Sequence, residues 1–216
     1  MTALLAPNRY RAVIFDMDGL LLDTELLWMR SEEAVFRNHG DTFTYEDKLA
    51  VVGTPIPVGS RYMAERLGLP EQEALIEAEL LDLMRAELRR QVDARPGALE
   101  LVERLRGHLP LAVASNSYAD IVRLALAAAG IADAFQAVVT ADDVRHPKPA
   151  PDLYLLACER LGVAPRDALA LEDSPSGVAA AKAAGLACIA VPQFAETDVS
   201  AADRVIDSLE QLLAEF

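Results

Sequence analysis

From about residue 93 onward, short apolar runs and amphipathic stretches take turns along the chain, and that alternation leaves few folds open. Pro96-Gly97 opens a predicted helix that runs to 105, and residues 111–115 read as a strand. A helix follows over 118–129, closed by Gly130, then a strand over 137–140. The pattern repeats as a helix over 151–161 closed by Gly162, a strand over 168–171, a helix over 176–184 closed by Gly185, and a strand over 187–191. Residues 205–206 give a last short strand before a terminal helix to 213, and 192–204 stay open between a loop and the tail of the preceding strand. Strands alternating with helices make βαβ units, and these build a parallel sheet.

One further strand stands apart. Ala12-Val13-Ile14-Phe15 is a continuous apolar run, as expected of a strand buried on both faces, and it ends abruptly in Asp16-Met17-Asp18-Gly19. Between it and residue 93 the chain is nearly all helical by pattern, with helices over 25–38 (stopped by His39-Gly40), 45–51, 60–67 and 71–92. Two prolines and two glycines make 53–59 a predicted loop. The fold class is therefore α/β. A Rossmann-like, doubly wound parallel core (1–22 and 93–216) carries an inserted all-helical cap domain (23–92). An insertion directly after the first strand lies over the carboxyl edge of the sheet, where a lid excludes water and selects substrates.

Ligands of open α/β sheets bind at the carboxyl ends of the strands. Each predicted strand delivers something polar there: Asp16 and Asp18; Ser115-Asn116-Ser117; Thr140 and Asp142-Asp143, leading to Pro147-Lys148-Pro149; and Glu172-Asp173. Each group alone reads equally as turn or helix-cap chemistry. Together they read as one site. Several carboxylates around one point need a cation, and an all-oxygen set favours Mg2+. A carboxylate can attack phosphorus, a second can shuttle the proton, and a lysine with a hydroxyl can neutralise the transferring phosphoryl group.

The 216 residues carry a formal net charge of −14, which argues against nucleic acid as a partner. No apolar run approaches the roughly 20 residues that span a bilayer, so no membrane partner is expected. Residues 1–7 lack the positive start of a signal peptide, and the two cysteines, Cys158 and Cys188, read as small buried hydrophobes in a reducing compartment. The expected location is cytoplasmic, as a monomer or weak homo-oligomer.

Four stretches carry a family resemblance: Phe15-Asp16-Met17-Asp18-Gly19 with the following Leu20-Leu21-Leu22-Asp23-Thr24-Glu25, Ser115-Asn116-Ser117, Lys148-Pro149-Ala150-Pro151-Asp152, and Glu172-Asp173-Ser174-Pro175-Ser176-Gly177. In this order they resemble the haloacid dehalogenase-like superfamily of phosphotransferases, in the branch holding β-phosphoglucomutase and small sugar-phosphate phosphatases. The resemblance implies Asp16 as nucleophile and Mg2+ ligand, and Asp18 as general acid/base that ligates Mg2+ through its carbonyl. It implies Ser115 and Asn116 on the phosphoryl oxygens, Lys148 bridging that group and Asp16, and Asp173 with Glu172 on the metal. The acid at Asp18 sets the chain apart from the true dehalogenases.

The implied activity is a Mg2+-dependent phosphatase of a small phosphorylated metabolite, most simply a sugar phosphate. The alternative is a β-phosphoglucomutase-like mutase. Against that, the place of the mutase's cap arginine falls near Pro55-Ile56, Arg61 lies some way on, and the region of its cap lysine, around Ile76-Glu77-Ala78-Glu79, is acidic. A phosphonate-cleaving relative would need a Schiff-base lysine, and Lys48 is the only lysine in the cap. A receiver-type phospho-acceptor switch shares the residue types but not the inserted lid. Trp28 is expected to pack in a core more readily than to face the substrate.

Overall fold

The computed structural model describes residues 9–194 and 196–215. Residues 1–7, read above as free of a signal peptide, lie outside the described residues. Six strands form one sheet: β1 (Ala12–Phe15), β2 (Leu111–Ala114), β3 (Ala137–Val139), β4 (Ala168–Glu172), β5 (Ala187–Ala190) and β6 (Arg204–Val205). Their order is β3-β2-β1-β4-β5-β6, and every pairing is parallel. Strand order runs one way from β1 through β2 to β3 and the other way through β4, β5 and β6. The crevice at that reversal is where such sheets bind ligands.

The apolar runs alternate in size, and this sorts the two faces. Val13, Phe15, Val113, Leu171 and Ile189 point to one side, where α5 (Ala98–Leu105) and α6 (Ala119–Ala128) pack. Ala12, Ile14, Ala112, Ala114, Ala170 and Ala190 point to the other, against α7 (Asp152–Leu161) and α8 (Pro175–Ala184). Burial on both faces explains why β1 is apolar throughout, with all four residues at 0% exposure.

The segment between β1 and α5 holds α1 (Glu25–Asn38), α2 (Tyr45–Val51), α3 (Ile56–Arg66) and α4 (Glu73–Arg90), with no strand among its residues. Its apolar side chains Leu27, Trp28, Phe36, Met63 and Met84 join the same core as the Val13/Phe15 face of the sheet.

Three expectations need correction. The predicted loop at 53–59 ends early, because α3 begins at Ile56. Pro57 is tolerated in a first helical turn, where its missing N–H has no partner to lose, and the N–H groups of Val58 and Gly59 already bond the Pro55 carbonyl. The helix predicted over 71–92 starts as a 3-10 turn at Pro70–Gln72 and becomes α-helical only over Glu73–Arg90. The terminal helix is a single 3-10 turn, Leu209–Leu212, tightened by the Ser208 hydroxyl, which accepts the Glu210 N–H. The undecided stretch before β6 holds turns and bends, without helix or strand among its described residues.

Candidate active site

The carboxyl ends of β1, β2 and β4 lie side by side, since Phe15 pairs with both Val113 and Leu171. Asp16 continues β1, its N–H donating to the Leu171 carbonyl at 2.9 Å. Its side chain is buried, and Oδ1 accepts from Lys148 Nζ at 2.6 Å. Lys148 is itself buried, and Nζ also donates to Glu172 Oε1 at 2.5 Å. One lysine therefore bridges the carboxylates ending β1 and β4. Burial alone would lower the lysine's pKa, but the charges of Asp16 and Glu172 outweigh it and raise it.

Glu172 is saturated with donors. Oε1 also accepts from Tyr154 Oη at 2.6 Å, while Oε2 accepts from the Asp173 N–H at 3.2 Å and Ser174 Oγ at 3.3 Å. α8 comes so close that a Cβ on Gly177 would fall inside this carboxylate. Gly19 is required twice over. Its φ of +84° is left-handed, and a Cβ there would collide with Asp173 Oδ2.

Asp18 is held by four side chains. Thr24 Oγ1 (2.7 Å) and Trp28 Nε1 (3.3 Å) donate to Oδ1, and Ser115 Oγ (3.1 Å) and Ser117 Oγ (2.9 Å) donate to Oδ2. Thr24 and Trp28 are four residues apart at the start of α1 and so share a face. The inserted helices and the β2 loop thus meet on this carboxylate.

Ser115 and Asn116 stand at the site, but their side chains are engaged within the protein. Ser115 serves Asp18, and also accepts the Ser117 N–H at 3.0 Å. The Asn116 amide clasps the backbone of Lys148, accepting its N–H at 2.9 Å and donating to its carbonyl at 3.2 Å. Asn116 therefore fixes where the lysine stands.

Carboxylate oxygens of Asp16, Glu172 and Asp173 lie within 4.8 Å of one another. Burial, with Glu172 and Asp18 nearby, pushes Asp16 up to about 8 against the pull of Lys148. Burial, Asp16, Glu172 and Glu25 likewise push Asp173 well above the carboxylate range. Crowded carboxylates of this kind, two buried and one half-buried, are the donor set of a hard divalent cation. With Glu172 already bonded four times, Asp16 and Asp173 are the groups that fit such an ion best.

Sequence reasoning placed Ser117 at the strand-end site and Thr24 in the first motif without giving either a role, passed over Tyr154, and expected Trp28 in a core. Trp28 is indeed buried, at 9% exposure, but its N–H points at Asp18. The available signal was that a buried Trp or Tyr needs an acceptor for its polar atom. Arg61, the nearest arginine to the mutase's cap position, is exposed and paired with Glu73 at 3.1 Å. Lys48 lies between Glu25 (3.3 Å) and Glu32 (3.0 Å).

The family model described as haloacid dehalogenase-like hydrolase matches residues 13–191, which take in all of these side chains. The chain belongs to the haloacid dehalogenase-like hydrolases. Among its relatives in that family, YhcW of Bacillus subtilis is 38% identical over 189 residues, 84% of this chain and 83% of the relative. The fructose-1-phosphate phosphatase YqaB of Escherichia coli is 33% identical over 184 residues, 85% of this chain and 97% of its own. The crystal structure of CbbY from Rhodobacter sphaeroides in complex with phosphate superposes with a TM-score of 0.84 at 31% identity, covering 95% of this chain and 98% of that one. The haloacid dehalogenase-like fold thus extends over both the sheet and the inserted helices.

Proposed function

We propose that this enzyme hydrolyses the phosphomonoester of a small phosphorylated carbohydrate, with Mg2+, through a phospho-aspartate on Asp16. The observation that carries the reading is the buried Asp16–Lys148–Glu172 bridge with Asp173 beside it and Asp18 two residues on. The similarity to a fructose-1-phosphate phosphatase supports the substrate class.

Asp16 and Asp173 would hold the cation, with Glu172 at its edge and the Asp18 carbonyl as a further ligand. When bound, the cation supplies positive charge that keeps Asp16 ionised and offsets the phosphoryl oxygens. Asp16 Oδ attacks phosphorus as the ester P–O bond breaks, and Asp18 gives its proton to the departing sugar oxygen. Asp18 then takes a proton from water as that water attacks phosphorus, breaking the bond to Asp16 and releasing phosphate. Lys148 faces the transferring group with a fixed positive charge, and Asn116 keeps it in place. Ser115 and Ser117, which tether Asp18 in the structure, would turn their hydroxyls to phosphoryl oxygens when Asp18 engages substrate.

The pairing of Arg61 with Glu73 and the acidic stretch around Glu77 and Glu79 favour hydrolysis over a mutase, which must grip a bisphosphate intermediate as it turns over. The test is phosphate release from a panel of sugar and small-acid phosphates that includes β-glucose 1-phosphate, with Mg2+ and then with EDTA. Metal-dependent release from one or a few members is expected. Conversion of β-glucose 1-phosphate to glucose 6-phosphate without phosphate release would make the enzyme a mutase.

A further inference from the structure

Just beyond β5, Gln193 leans into the gap between the metal-side carboxylates and the start of the inserted helices. Its Nε2 donates to Asp23 Oδ1 at 3.2 Å. Its Oε1 is buried and, among the described residues, has no donor. Buried amide oxygens are nearly always paired, so this one calls for a partner. Its position says which. A Cβ built on Gly19 would lie 3.5 Å from Gln193 Oε1 and would collide with Asp173 Oδ2. The orphan oxygen and the Asp173 carboxylate thus both border the space beside Gly19. The amide is also oriented, because turning it over would set its oxygen against the Asp23 carboxylate.

We infer that Gln193 is a positioning residue for the cation, its Oε1 accepting a hydrogen bond from water in the hydration shell of a Mg2+ ion on Asp16 and Asp173. Mg2+ keeps several of its waters when protein-bound, and groups that hold those waters tune affinity. The inference rests on the cation reading above. Asp23 opens the segment leading to α1, and its own N–H donates to the Asp93 carbonyl at 2.8 Å where that segment returns. Gln193 therefore joins the metal side of the site to the two crossing points of the helical insert.

The test is calorimetric titration of Mg2+ into metal-free wild-type protein, Gln193→Met and Gln193→Glu, with melting curves in EDTA as the check on folding. Gln193→Met keeps the bulk and loses the acceptor. Its Mg2+ affinity is expected to fall about tenfold or more, with unchanged melting in EDTA. Gln193→Glu keeps an oxygen acceptor and is expected to bind Mg2+ more tightly than Gln193→Met. Equal affinity of wild type and Gln193→Met, or of the two variants, overturns the inference. Wild-type protein that binds no Mg2+ overturns the cation reading itself.

Discussion

At the scale of single residues, the decisive feature is that Asp18 is shared between two parts of the chain. Trp28 can only donate a hydrogen bond, and it does so from a helix of the insert to a carboxylate of the sheet edge. Trp28→Phe keeps the apolar contact and removes the N–H. Turnover is expected to fall about tenfold, the equivalent of one charge-assisted bond of about 1.5 kcal/mol, with melting little changed. Unaltered turnover in steady-state kinetics would make Trp28 a packing residue only. That Asp16, Asp18, Lys148 and Glu172 gather in one place was legible in the sequence because strand ends in a parallel sheet are forced together. The bonds around them were not. That Asn116 clasps the Lys148 backbone depends on a register between the β2 and β3 loops that no local pattern encodes.

At the scale of elements, β4 and α8 form one unit around Glu172. Ser174 caps α8 by accepting the Gly177 N–H at 3.2 Å, which brings the helix start onto the carboxylate. Gly177→Ala forces the helix and Glu172 apart. Overpacking of this kind costs about 1–3 kcal/mol, and displacement of Glu172 loosens Lys148, so both denaturant midpoint and turnover are expected to drop. A variant as stable and active as wild type would show that α8 has room to move. Strands β1 to β5 were visible as apolar runs, whereas β6, which begins at the charged Arg204, and the element ends were less so. Pro57 and Gly59 read as loop chemistry but sit in the first turn of α3, where the backbone tolerates both.

At the scale of the molecule, the insert is tied to the core by polar contacts as well as by a shared apolar interior. Arg85 of α4 pairs with Asp120 of α6 at 2.7 Å, and Tyr118 Oη donates to Glu77 of α4 at 3.0 Å. Tyr118 directly follows Ser117, so the insert bears on the same loop that holds Asp18. The sequence placed the insert after β1, and hence over the carboxyl edge. It could not show these ties, which join residues 35 and 41 positions apart across the chain. The proposed mechanism has one chemical centre, the Asp16 carboxylate that Lys148 holds at the switch point of the sheet. The most direct measurement is Mg2+-dependent hydrolysis of p-nitrophenyl phosphate by wild type and Asp16→Asn, with melting curves to confirm folding. Turnover by wild type and none above background by a folded Asp16→Asn variant is the predicted result. A folded variant that keeps wild-type turnover would contradict nucleophilic attack by Asp16.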